Sequence, residues 1–395
     1  MKIAASVLLV AALAGCSTEP EPAKPLPLEQ QPVRTRALDQ SVHDGVTFLL
    51  KSQERGGYWG TGCRPLGWDI YASAPGSHMA FKVATTALCA MALREVAASG
   101  ILLDPMKSEA VAAGRRAEDW LVGPGIKVRR ASQDEIYNVW GHMYGLQALA
   151  AAIRDEQDPA RLESLKKGAL EHLDLLDRYS TTYGGWNYYD FAYLTQHPSL
   201  EPTAFGTSAG LIALKEARAV GLPVSEKLVR GAIRLLEKCR TPENTYLYSY
   251  DWRYHPMGII NRPAGSLGRT QAGNDALTEW GSKAVPAADL TAGLERLFKL
   301  QLYLECGRKR PIPHEAYYAV AGYFYYFGHY YAARLLPLIP AEDAKIYAKK
   351  LSDTIRPHQE EDGSWWDFGM WDFHKPYGTA FALLILKRCR DAGSE

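Results

Sequence analysis

The chain has 395 residues, 47% of them hydrophobic and 23% charged, an ordinary globular composition that argues against wholesale disorder or a fibrous repeat. Lys plus Arg is 45 and Asp plus Glu is 44, a formal charge of +1, which excludes the basic surface that a nucleic-acid partner requires. The unusual feature is aromatic: 10 Trp, 23 Tyr and 10 Phe, so most of the rings also carry a polar handle.

At the amino terminus, Met1-Lys2 is followed by an apolar run from Ile3 to Ala14. It is too short to span a bilayer and suits the core of a signal peptide. The run ends in Leu13-Ala14-Gly15-Cys16, which resembles the lipobox of bacterial lipoproteins. That resemblance implies a signal peptide over 1–15 and a Cys16 that is lipidated with palmitate-type chains. It also implies an exported protein of the bacterial cell envelope, whose partner is the membrane through that anchor. Ser17, where an Asp would retain the protein at the inner membrane, points to the outer one. Residues 16–37 carry Pro20, Pro22, Pro25, Pro27 and Pro32 and read as an extended tether. Five further cysteines, Cys63, Cys89, Cys239, Cys306 and Cys389, are an odd number, so at least one is unpaired or intermolecular. Cys89, in an Ala/Leu-rich stretch, reads as a small buried hydrophobe. No Cys/His spacing suggests a metal site, and no motif calls for a cofactor.

From residue 38 onward one helical pair recurs, so 38–395 is expected to be a single domain. Six segments combine small residues with apolar ones at helical spacing and little charge. They are Val83–Leu93, Val139–Ala151, Phe205–Ala217, Gly268–Trp280, Ala316–Leu335 and Tyr377–Leu386. Helices apolar nearly all round are buried ones. Between them lie charged amphipathic segments at about 38–53, 108–122, 160–178, 224–239, 287–304 and 341–357, each with one apolar stripe. Six inner and six outer helices in alternation predict an all-α fold, an (α/α)6 toroid. The best strand-like alternation, Tyr246–Tyr250, is short.

The outer helices end in a recurring phrase. The first copy is Gly45-x-x-Phe48-Leu49-x-x-x-Gln53-x-x-x-Gly57-x-Trp59, and the last is Ile355-x-x-x-Gln359-x-x-x-Gly363-x-Trp365. Both resemble the QW motif of the squalene cyclase and prenyltransferase repeat families. Degenerate copies keep only the helix (Gly293, Leu297, Gln301; Arg116, Ala117, Trp120, Leu121) or only the turn (Gly184-Gly185-Trp186). The resemblance implies the toroid fold and a clamp role for these residues. It brings no catalytic residue, because the Asp-x-Asp-Asp proton donor of the squalene-type cyclases and the prenyltransferase zinc ligands are both missing from the sequence.

Chemistry in a toroid belongs on the inner helices and the loops that lead into them. Candidates in chain order are His78 and Lys82; Asn138 and His142; His197, Glu201 and Thr207; then Arg262, Arg269, Asn274 and Asp275. His314 and Glu315 follow, and Asp367, Asp372, His374 and Lys375 close the series. Asp275, Glu315, His314, Asp367 and Asp372 are the catalytic candidates: His314-Glu315 as an acid/base pair, the two late Asp as proton donors among rings. Arg262, Arg269, Asn274, Tyr317, Tyr318 and His374 are the ligand-binding candidates, the arginines suited to an anion. Three functions remain open. The toroid binds or cleaves an extracytoplasmic ligand such as a polysaccharide, with rings stacking on sugar faces and acids or a Tyr/His pair doing the chemistry. Alternatively it is a non-catalytic scaffold or receptor, or an isoprenoid cyclase holding an apolar ligand by its aromatic walls. The Tyr clusters at Tyr188–Tyr193, Tyr246–Tyr254 and Tyr317–Tyr331 are not explained by the repeat motif and point to a lined cavity.

Overall fold

A computed structural model describes residues 36–63, 66, 75–127 and 135–393; the expected signal peptide, Cys16 and nearly all of the tether lie outside them. In chain order the helices are α1 (Leu38–Ser52), α2 (Pro75–Ala98), α3 (Met106–Val122), α4 (Val139–Asp155), α5 (Pro159–Tyr179), α6 (Ala204–Ala219) and α7 (Glu226–Lys238). They continue with α8 (Leu267–Glu279), α9 (Ala287–Lys299), α10 (Gln301–Gly307), α11 (Phe324–Arg334), α12 (Ala341–Ile355) and α13 (His374–Asp391).

Burial sorts them into two rings. Helix α6 is buried on every side from Ala204 to Leu214, and its small residues let neighbours approach closely. Helix α7 buries only Leu228, Val229, Ala232, Leu235 and Leu236, one stripe at helical spacing with the rest in solvent. Helices α2, α4, α6, α8, α11 and α13 pack each on the next, and α13 returns to α2, closing an inner ring. Around it α3 packs on α2, α5 on α4, α7 on α6, α9 on α8, and both α12 and α1 on α13. This is the (α/α)6 toroid. Side-chain caps start several helices: Thr203 accepts from Gly206 N, Ser225 from Leu228 N, and Asp158 from Ala160 N.

Four of the turns from an outer to an inner helix share one clamp in whole or in part. In the first, Glu54 N donates to Tyr58 O and Gly57 sits at φ +89°. A Cβ there would lie 2.6 Å from Arg116 O, so only glycine fits. Gln53 Nε2 donates to Gly57 O at 3.0 Å and across to Ala113 O of α3 at 2.9 Å. The fully buried Trp59 donates its backbone N–H to Thr86 Oγ1 and its indole N–H back to Leu49 O at 3.0 Å. The last copy repeats this: Gln359 reaches Gly363 O and Ser41 O, each at 2.9 Å, and Trp365 donates to Thr379 Oγ1 and Ile355 O.

The structure restores two copies that the sequence pattern only hints at or hides. Trp186, expected to keep only the turn, donates to Thr207 Oγ1 and to Leu176 O at 2.7 Å, the full clamp without the Gln. Tyr246 stands in the same place after a turn whose left-handed residue is Asn244 (φ +58°). Its backbone N–H meets Ser266 Oγ and its phenol donates to Asn274 Oδ1 at 3.1 Å.

Three expectations change in detail. The segment Ala316–Leu335 is helical only from Phe324; before it the chain forms a short 3-10 turn over Tyr317–Ala319 with Tyr318 and Ala319 in the left-handed region. The fifth outer segment breaks at Leu300 into α9 and α10. Tyr246–Tyr250 makes isolated bridges, Arg240 with Tyr246 and Thr203 with Ser249, and no sheet. All five described cysteines are free, and Cys89 is fully buried as expected. No described helix is long and apolar enough to cross a membrane.

Candidate functional site

The amino-terminal parts of five inner helices and the loops ahead of them enclose a cavity of about 590 Å³ at the centre of the ring. Helix α2 contributes Phe81, Ala84, Thr85 and Leu88, and α4 contributes Trp140 and Tyr144. Phe205 comes from α6, Phe324 and Phe327 from α11, and Tyr377 and Phe381 from α13. These positions follow the i, i+3, i+4, i+7 rule, which is why one face of each helix reaches the same space. Helix α8 contributes nothing to the lining; the loop before it does, through Tyr248, Trp252, Ile259 and Ile260. Ile259 is 60% exposed and marks the mouth. Tyr137, Tyr188, Tyr189, His314, Ala319, Tyr323, Phe368 and Met370 complete the wall from the other leading loops.

The rings brace one another at packing distance. Trp140 stacks with Phe205 at 5.9 Å, Phe205 meets Phe324 edge-on at 5.2 Å, and Tyr330 supports Phe381 at 5.2 Å. Among the described residues no Asp, Glu, Lys or Arg lines the cavity. Its polar groups are mostly phenols, and they meet in hydrogen bonds. Tyr189 donates to Tyr137 at 3.0 Å. The Tyr248 phenol is hydrogen-bonded to Tyr323 and Tyr188, and Tyr323 meets His314 Nε2 at 3.1 Å. His314 Nδ1 lies 2.7 Å from Ala319 O. His314 takes φ +64°, a strained conformation for a residue other than glycine and one that concentrates at functional sites. Burial and the nearby Arg269 guanidinium push its pKa below the usual imidazole value.

The charged candidates lie around this cavity without lining it. Arg269 is buried behind it, its guanidinium 5.3 Å from the Tyr248 ring and 5.7 Å from Phe324, with two N–H groups spent on Gly265 O and Ile260 O. Asp275, further along α8, is fully buried and paired with Arg334 at 2.5 Å; burial pushes its carboxyl up and Arg334 opposes the rise. Asp367 is buried behind Tyr377, accepting its phenol at 2.6 Å and Tyr326 N at 2.9 Å. Asp372 fastens the opposite loop, accepting Thr61 N at 2.9 Å and Gly62 N at 3.2 Å. Glu315 is exposed, so it and His314 do not form an acid/base pair; the partner of His314 is Tyr323.

Among the ligand-binding candidates, Asn274 serves the Tyr246 clamp, Arg262 and Tyr317 are exposed, and Tyr318 packs edge-on against Tyr303. His374 Nδ1 approaches Trp371 O at 2.5 Å, and its ring meets Trp366 edge-on. Of the remaining candidates, His78 packs on Trp371, Lys82 sits over Tyr58, and Asn138 reaches Tyr179 at 3.2 Å. His142 shares a buried hydrogen bond with His172 at 2.9 Å, Lys375 pairs with Asp362, and Thr207 caps the Trp186 clamp. His197 and Glu201 are exposed. Charge was therefore a poor guide to the cavity. The better signal was rings at i, i+3 or i+4 inside the small-residue helices: Phe81, Trp140, Tyr144, Phe205, Phe327 and Phe381.

Sequence comparison with protein-family models and with curated proteins gives no match. Comparison of the fold does. The chain superposes on an alpha-1,6-mannanase from Salegentibacter with a TM-score of 0.57 at 9% identity, covering 90% of this chain and 100% of that one. A cellobiose 2-epimerase from Spirochaeta thermophila gives 0.57 at 16% identity, covering 92% and 99%. A type II terpene cyclase from Scytonema gives 0.46 at 15% identity, covering 90% and 98%. At these identities the likeness to the mannanase and the epimerase establishes the shared toroid and leaves function to the site.

Proposed function

We propose that this toroid binds a predominantly apolar small molecule in its central cavity, as an exported body held to a membrane by a lipidated Cys16. The observation that carries the reading is the wall itself: five inner helices present aromatic and aliphatic faces to about 590 Å³ of space, with no carboxylate or ammonium among the described lining residues. Such a pocket gains affinity by removing apolar surface from water. A saccharide would bring many hydroxyls into a site with few partners, and each unpaired one costs free energy. Hydrolysis of a glycosidic bond in the usual way also needs two carboxyl groups facing the sugar, and neither Asp367 nor Asp372 lines the wall. A scaffold with a filled centre is disfavoured by the cavity.

Trp140 and Trp252 in the wall supply the test. Titration with farnesene, a neutral hydrocarbon, is expected to give a saturable change in tryptophan emission that shrinks in Trp140→Phe, whereas cello-oligosaccharide gives none. The opposite pattern overturns the reading. The anchor is checked separately by labelled palmitate, expected to enter the full chain in bacteria and not Cys16→Ser.

A further inference from the structure

Threonines on the helices of this protein commonly commit their hydroxyls in one of two ways. Thr47, Thr270 and Thr354 close on the carbonyl one turn back, at 2.9, 2.8 and 2.8 Å. Thr86, Thr207 and Thr379 each accept the backbone N–H of a clamp tryptophan. Thr85 does neither. It stands between Phe81 and Leu88 on the face that α2 turns to the cavity, and it is only 2% exposed. Its hydroxyl has no hydrogen-bond partner among the described residues. The hydroxyl of Thr278, near the end of α8, is also unpaired, but that oxygen is sealed into packing. The Thr85 oxygen is not sealed, so what surface it keeps opens into the cavity. Taking an uncommitted hydroxyl out of water costs free energy, and a valine would fill the same shape without that cost. Packing alone gives no reason for a threonine on this wall.

We propose that Thr85 is the polar anchor of the cavity, so that the ligand is an apolar molecule carrying a neutral oxygen function seated against the Thr85 hydroxyl. The proposal rests on the apolar-ligand reading above and deepens it. A threonine hydroxyl rotates, donates one hydrogen and offers two lone pairs, so it serves an alcohol or a carbonyl. A carboxylate, phosphate or ammonium is disfavoured, because no opposite charge stands among the described lining residues. The position also orients the ligand. Thr85 lies on an inner helix one turn before Leu88, whereas the exposed Ile259 marks the mouth. The oxygen goes in first, and the hydrocarbon remainder runs outward along Trp140, Phe205 and Phe324.

The test sets two ligands against three proteins, read by tryptophan emission on the purified full chain. Farnesol carries a hydroxyl and farnesene carries none, and both are expected to bind the wild type. Thr85→Val keeps the shape and removes the oxygen. It is expected to weaken farnesol about tenfold relative to farnesene, the worth of one hydrogen bond. Thr85→Ser keeps the oxygen, and its farnesol-to-farnesene ratio is expected to stay within about twofold of the wild type. With no bond inside the protein to lose, Thr85→Val should unfold at the wild-type temperature or above it. The anchor is overturned by an unchanged ratio in Thr85→Val, by an equal change in Thr85→Ser, or by a lowered unfolding temperature in Thr85→Val. A wild type that takes farnesene and refuses farnesol overturns it as well. Each of these results leaves the apolar cavity standing, whereas failure of both ligands to bind the wild type overturns both readings.

Discussion

Tyr377 donates its phenol to Asp367 at 2.6 Å, and the carboxyl it meets is fully buried. Burial dominates over that bond and pushes the Asp367 pKa up to about 6. A folded-state pKa above the unfolded one means that the native structure favours the protonated acid. The resulting stability is fully present below the unfolded pKa, near 4, and is lost as pH rises through 6. Relative to Asp367→Asn, the wild type should gain on the order of 3 kcal/mol between about pH 7 and pH 4. Urea unfolding of both proteins at the two pH values measures it; equal pH dependence would refute the assignment.

The Trp186 clamp should carry as much stability as the two copies that keep their Gln. Trp186→Ala removes a fully buried ring and is expected to cost about 3–5 kcal/mol. Trp186→Phe keeps most of the packing but leaves Leu176 O without its 2.7 Å donor, a loss of about 1–3 kcal/mol. Chemical denaturation ranks the two, and a near-neutral Trp186→Ala would mean that the third turn is not a clamp.

Asp275 and Arg334 face each other in the interior: Arg334 donates to Asp275 Oδ2, and the buried Oδ1 has no hydrogen-bond partner. Removing Asp275 leaves the buried Arg334 with only its long 3.9 Å contact to Glu216, so Asp275→Ala should destabilise by about 3–5 kcal/mol. Replacing both by leucine is expected to cost clearly less than the sum of the single changes, because no uncompensated charge remains. A double-mutant cycle on thermal unfolding decides between coupling and independence.

The free thiols should separate by access. Cys63 is exposed, whereas Cys89, Cys239 and Cys389 are buried and burial raises their pKa values. Brief iodoacetamide treatment of the native protein followed by peptide mass analysis should find Cys63 alkylated and those three protected until urea is added.

Much of the architecture was legible from rhythm. The alternation of all-apolar and one-striped segments gave twelve helical positions because burial on a helix leaves a period that sequence retains. Tyr246 escaped because its turn replaces glycine with Asn244, which tolerates the left-handed region, and its phenol reaches Asn274 where an indole would reach a carbonyl. The cavity was half legible. The Tyr clusters pointed to it, but the catalytic candidates were chosen for charge, and here charge is spent inside the protein: Asp275 on Arg334, Asp372 on Thr61, Arg269 on backbone carbonyls. The His314–Tyr323 pairing joins a left-handed loop to a helix start, and no spacing rule encodes such a meeting. His314 itself was among the candidates; its partner was expected to be Glu315.

The seam of the ring has a consequence for how the chain is made. Gln359 reaches Ser41 O across 318 positions, a Cβ on Gly363 would collide with Asp44 O, and Asp372 fastens Thr61. The first outer helix therefore finds its permanent neighbour only after the last repeat has left the ribosome, and until then α1 and α2 expose apolar stripes to whatever is near. Contacts this remote in sequence slow folding and favour a chaperoned intermediate. Because the ring is closed, new termini cut into another outer loop, with the old ones joined, would move this seam and not remove it; such a permutant should keep the same ring while a different pair of helices waits for the end of the chain.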